Sequence, residues 1–179
     1  MQSNSVLNLA NSTWYSDNRD IDVLKDMQWL NDNLFLADNY LIDPPSQKFH
    51  ANLKKLRAIV INVIEGDRIE RNIDFLNQCL KKASFHNKLS SIDDNFVLEA
   101  VPHSHSEDAA LASIIIKFID LVSAQQLQKI RRCHLEECRF YFLDKSKNQN
   151  KKFCSGKCNN VAKVRRFRKA NSRSPHTTH

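Results

Sequence analysis

Apolar residues recur at three- and four-residue steps through much of the first 80 positions, a helical period. Residues 1–15 are polar with scattered apolar positions and predict an extended or loosely helical segment. Asp20 reads as the N-cap of a helix reaching about Leu36, with Val23, Leu24, Met27, Leu30 and Leu34 on its inner face. Pro44-Pro45 breaks the chain, and Ser46 can cap a second helix lined by Phe49, Leu53, Leu56, Val60 and Ile64. After a further break at Gly66-Asp67, Ile69, Ile73, Leu76 and Leu80 mark a third helix. Cys79 lies on or near it and reads as a packed thiol, because an uncharged cysteine behaves as a small hydrophobe. The pattern then changes. Lys88–Ile92 and Asn95–Val101, separated by Asp93-Asp94, predict a β-hairpin. Pro102–Ser106 is a loop; its His103 and His105 could bind a metal together but have no further ligands nearby in sequence, which favours an incidental, solvated pair. From Glu107 to about Ala124 apolar residues surround most of a helix, which places it at the centre of a core. The fold class expected is α+β: a mainly helical N-terminal domain with a β-hairpin, followed by a small C-terminal module.

Charge sharpens this division. From Lys129 onward there are 15 Lys/Arg against 3 Asp/Glu, a net +12, whereas the residues before it carry −5. One part avoids polyanions and the other seeks them. A basic end that serves only solubility is the plainer alternative. No apolar run approaches the ~20 residues that span a bilayer, and the first residues lack a secretory-leader pattern, so a cytoplasmic location without membrane association is expected. In such a reducing compartment paired cysteines are metal ligands more often than disulfides.

Cys133 and Cys138 form a Cys-x4-Cys pair, and 15 residues later Cys154 and Cys158 form a Cys-x3-Cys pair. Two close pairs are the ligand arrangement of one tetrahedral zinc, and an all-cysteine site is closed and structural. An iron–sulfur cluster or a redox pair could use the same sulfurs, and His134 could replace Cys133. The first pair is short enough to bend as a knuckle. Phe140–Leu143 follows as an aromatic, strand-like stretch, and Asp144–Asn150 as a polar turn. Ser155 can cap a helix whose first turn carries Cys158, where the helix dipole suits a thiolate. Knuckle plus helix start is a treble-clef or zinc-ribbon-like layout. The helix is cationic: Lys163, Arg166 and Arg173 fall on roughly one side, Arg165, Arg168 and Lys169 broaden the patch, and Lys151 and Lys152 approach from the preceding turn. Val161, Val164 and Phe167 offer apolar contacts to the rest of the protein. Cations on a rigid helix suit DNA phosphates, with a merely solvated basic helix as the alternative.

These residues resemble the CGNR zinc-finger family, in which a cysteine knuckle precedes Cys-Ser-x-x-Cys-Gly-Asn-Arg and a basic helix. The matching positions are Cys133, Cys138, Cys154, Ser155, Cys158 and Asn160, then Ala162, Lys163, Arg165 and Arg166. Asn159 stands where that family has glycine, and Val161 where it has arginine. Leu7-Asn-Leu-Ala-Asn11-Ser12 is similar to the start of the ABATE domain that usually precedes this finger. The resemblance implies an ABATE-like, ligand- or stress-sensing domain at 1–128 and a CGNR-type finger at 129–170; the polar residues 171–179 read as a flexible tail. It implies a bacterial transcription regulator whose cofactor is Zn2+ and whose partners are DNA, an unidentified small-molecule effector and, as an option, a second copy in a homodimer. The competing class is a zinc-stabilised protein–protein interaction module. An enzyme is not expected: four sulfurs leave no open metal position, the chain has only two glycines with which to build a phosphate loop, and no nucleophile–base arrangement is visible.

Overall fold

The computed structural model describes residues 5–16, 19–34, 44–92 and 95–172. In chain order, helix α1 (Ser5–Ala10) precedes paired strands β1 (Thr13–Ser16) and β2 (Arg19–Asp22). Helices α2 (Met27–Leu34), α3 (Gln47–Ile64) and α4 (Ile73–Leu80) follow, then the hairpin β3 (Phe85–Ile92) and β4 (Asn95–Pro102) and helix α5 (Glu107–Ser123). Strands β5 (Ile130–Arg132) and β6 (Tyr141–Leu143) and helix α6 (Gly156–Asn171) complete the described chain. Two compact units result. One runs up to Thr13 and from Asp22 to Leu127; the other joins Trp14–Ile21 to the residues from Gln128 onward.

The first unit is built around α5, which packs against α1, α3 and α4. Ala109–Ile115 and Phe118 are buried along it, meeting Val6 and Leu9 of α1, Phe49, Leu53, Leu56 and Val60 of α3, and Leu76 and Cys79 of α4 in one apolar core. The α3 and α5 starts are tied together. Ser46 accepts the Phe49 amide at 3.1 Å as N-cap of α3, and its hydroxyl donates to Glu107 in the first turn of α5 at 2.6 Å. Gly66, at φ 109°, makes the turn that ends α3; an L side chain there is strained.

Several local expectations shift. The segment before residue 15 contains a formed helix, α1, because Val6, Leu9 and Ala10 find burial. Asp20 is no helix cap but lies in β2. Asp22 instead accepts the Leu24 amide at the head of a 3-10 turn, and Asp26 accepts the Trp29 amide in the first turn of α2. Phe35 and Leu36, in the expected end of that helix, lie outside the described residues. The third helix begins as a separate 3-10 turn at Ile69–Asn72, which breaks the 3.6-residue period and leaves Ile73 44% exposed. The hairpin forms as expected, in the register Leu89↔Leu98 and Ser91↔Phe96. Facing residues share a side of the ribbon, so Leu89, Phe96 and Leu98 form one apolar face, and it is exposed.

One polar link fastens the start of this unit to α3. Both Arg57 terminal nitrogens reach the Asp22 carboxylate, at 2.9 and 3.0 Å, and one also donates to Ser12 Oγ at 2.9 Å. Burial alone would raise the Asp22 carboxyl, but the Arg57 hydrogen bonds and the Leu24 amide outweigh it and hold the group below the usual carboxylate range. A depressed folded-state value means stability that is present above the unfolded value and lost as pH falls through the folded one. Asp22→Asn is therefore expected to cost about 1–2 kcal/mol at neutral pH. The gap to wild type should narrow at acid pH, below the ordinary carboxylate value of about 3.9. Denaturant melts at the two pH values measure both.

Candidate metal centre and basic helix

The second unit has a small interior. Among the residues whose burial is described, Ile130, Tyr141 and Phe142 are its buried apolar residues, beside Cys133 and Asp144. Its frame is the β5–β6 hairpin in the register Ile130↔Leu143, Arg131↔Phe142 and Arg132↔Tyr141. The ladder is extended at one end by Cys133 N–H to Phe140 O (2.9 Å) and at the other by Asp144 N–H to Lys129 O (2.7 Å). Cys133 thus leaves β5 in a fixed direction. The knuckle then turns back through Cys138 N–H to Leu135 O, at 2.8 Å.

The returning loop is organised by Asp144, which sequence reasoning saw only as the start of a polar turn. Its carboxylate accepts the Ser146 hydroxyl (2.6 Å), the Ser146 amide (2.9 Å) and the Lys151 amide (2.9 Å), and faces Arg131 Nε at 3.5 Å. The Ser146 hydroxyl, with the two amides and Arg131, outweighs desolvation and holds the Asp144 carboxyl below its ordinary range. The Asp-Lys-Ser run at 144–146 was the available signal, since Asp bonding its own backbone two residues on makes an Asx turn. His134 N–H to Lys152 O (2.9 Å) draws the end of this loop onto the knuckle. Cys154 is thereby delivered beside Cys138.

Ser155 then caps α6, accepting the Cys158 amide at 3.3 Å, so Cys158 sits in the first helical turn. The sulfurs of Cys133, Cys138, Cys154 and Cys158 all lie within 4.8 Å of one another, with 3.6 Å from Cys154 to both Cys138 and Cys158. Four thiolates around zinc at ~2.3 Å leave their sulfurs ~3.8 Å apart, so donor set and spacing both fit that ion. The Ser155 hydroxyl favours thiolate at Cys158, whereas burial pushes Cys138 and Cys154 up, with the neighbouring sulfurs adding to the rise at Cys154. His134 is exposed, its ring edge-on to Phe153, and stands outside the cluster. Cys79 is buried in the other unit as a hydrophobe, where burial raises its thiol. The His103 ring lies tilted against that of His86, with centroids 4.8 Å apart; among the described residues the four cysteines are the one metal-competent group of three or more.

The hairpin, knuckle and capped helix form a treble-clef-like module. Residues 129–170 match the CGNR zinc finger. No curated protein matches the chain. Within the finger, Asn159 takes the family's glycine position without strain, because it is helical and donates its amide to Ser155 O at 3.1 Å.

Helix α6 carries six cations, Lys157, Lys163, Arg165, Arg166, Arg168 and Lys169, and no acid. It has no buried residue. At ~100° per residue, Cys158, Ala162, Arg165 and Lys169 share the knuckle side, while Asn160, Lys163, Val164, Phe167 and Asn171 share the opposite one. Arg165 pairs with Glu137 of the knuckle, whose own amide and this arginine hold the carboxyl below its usual range. Lys163, Arg166, Arg168 and Lys169 are exposed, so the charge surrounds the helix instead of keeping to one side. Lys151 and Lys152 are exposed beside the start of α6, Lys151 with its ammonium 5.4 Å from the Phe142 ring centroid; Arg173 lies outside the described residues. The expected apolar contacts fail in part. Val161 is half-buried, but Val164 and Phe167 are exposed at 48% and 68%, because they point away from the knuckle. Among the described residues no helix is long and apolar enough to cross a membrane.

With few buried apolar residues described, the C-terminal unit is expected to depend on a metal at the four sulfurs. A chelator is expected to abolish amide-exchange protection over residues 129–171 and to leave α3 and α5 protected. Ser155→Ala removes the cap of α6, costs about 1 kcal/mol and speeds metal loss to the chelator. Cys158→Ser should abolish stoichiometric metal uptake by elemental analysis.

Proposed function

We propose that this protein is a zinc-dependent DNA-binding transcription regulator, with α6 and the lysines before it contacting the duplex. The observation that carries this reading is the fixing of an acid-free, six-cation helix by its first turn to a tetrathiol site. Zinc is the ion proposed, since it prefers closed four-sulfur sites and has no redox chemistry of its own to direct at a partner. Its role is to hold the knuckle and the helix start together; the contacts to DNA come from the chain. Lys163, Arg166, Arg168 and Lys169 neutralise phosphates, releasing counterions, and Lys151 and Lys152 extend the track toward the helix N-terminus. Arg165 is already balanced by Glu137 and contributes less. The residues before the finger would serve as the sensing half that the ABATE-like start implies. No catalytic role is proposed, because four sulfurs leave no metal position for water.

Duplex binding by the zinc-loaded chain, titrated at several salt concentrations, tests the reading. With Lys151, Lys152, Lys163, Arg166, Arg168 and Lys169 on phosphates, log K should fall against log salt with a slope of about −5. Arg166→Ala should reduce that slope by about one, and Arg165→Ala by less. Salt-independent binding, or none at low salt, would reject a DNA-binding role.

A further inference from the structure

The side of α6 turned away from the knuckle presents more than charge. Asn160, Val164, Phe167 and Asn171 follow one another at steps of four, three and four residues, which is a single ridge on a helix. Asn160, Lys163 and Asn171 are exposed, and so are Val164 and Phe167, at 48% and 68%. Two apolar side chains and two amides on the open face of a helix with six cations and no acid suit a polyanion that also offers apolar and amide-reading groups. A lipid surface could take the cations and the apolar side chains, but it presents no fixed donor–acceptor edge to match an asparagine amide. Double-stranded DNA offers both: the major groove, ~12 Å wide, admits a helix, adenine presents a donor–acceptor pair that matches asparagine, and thymine projects a methyl group. From Asn160 to Phe167 is ~10.5 Å along the axis, about three base-pair steps.

We propose that the Asn160–Val164–Phe167 ridge of α6 enters the major groove and selects A·T base pairs, with Phe167 and Val164 against thymine methyls and Asn160 on adenine. Lys163 on the same side, with Arg166 and Arg168 flanking, grips the phosphates on either wall. This rests on the DNA-binding reading and adds to it the face that reads bases and the bases that it reads.

The test uses the zinc-loaded full chain and three duplexes of one length: an A·T-rich one, the same sequence with every thymine replaced by deoxyuridine, and a G·C-rich one. Deoxyuridine removes only the methyl group. Each methyl lost from contact should weaken binding about fourfold, the worth of one buried methylene. Phe167→Ala should erase most of the thymine–deoxyuridine difference while zinc content and salt slope stay at the wild-type values. Asn160→Ala should narrow the A·T over G·C preference. Equal affinity for the thymine and deoxyuridine duplexes, with the steep salt slope intact, overturns this inference and leaves DNA binding standing. Failure to bind any duplex at low salt overturns both. A uniform loss by Phe167→Ala on all three duplexes, with a change in oligomeric state, assigns the ridge to a second copy of the chain and overturns the proposal. So does tighter binding to phosphatidylserine vesicles than to any duplex.

Discussion

Four sulfurs within 4.8 Å of one another are a demanding arrangement. As thiols they bond one another weakly, and as thiolates they repel, so only a cation among them turns their closeness into net attraction. Everything else in the C-terminal unit is arranged around that constraint. The β5–β6 ladder fixes where Cys133 departs, the Asp144 network sets the path to Cys154, and the Ser155 cap starts the helix where Cys158 must stand. Each of these is a hydrogen-bonding device. Among the residues whose burial is described, the apolar part is a few side chains from the hairpin.

The N-terminal unit solves its problem by the opposite means. Its core is apolar and gathered on α5, and its polar links sit at the edges: Ser46 with Glu107 at two helix starts, and Arg57 with Asp22 and Ser12 at the first turn of the chain. Ser12 belongs to the Leu7–Ser12 run that resembles the ABATE start. Its hydroxyl donates to Leu9 O at 2.8 Å and accepts from Arg57, which gives that run a structural reason for a small polar residue.

The long periodic helices and the cysteine site were legible in the sequence because each rests on a strong, local code. Ser46, Gly66, Ser106 and Ser155 mark ends or turns by chemistry that does not depend on distant partners. What was illegible depended on such partners. Asp20 reads as the cap, but Asp22, held by Arg57 35 residues on, is the one that accepts the Leu24 amide. Asp144 looked like turn polarity until its three donors came together. Phe167 is expected to make apolar contacts, yet it faces solvent, as do Leu89, Phe96 and Leu98 of the hairpin, since periodicity reports which residues share a side and not what covers it.

Helix α6 is a cantilever. It is clamped at its root by Cys158 and braced by one exposed ion pair, Arg165 with Glu137, and no residue along it is buried. Sixteen residues give a lever arm of about 24 Å, so a tilt of about 5° at the clamp carries the free end about 2 Å. That is more than half the separation of adjacent base pairs. The bond angles at a handful of sulfurs therefore set the aim of a rod many times their size.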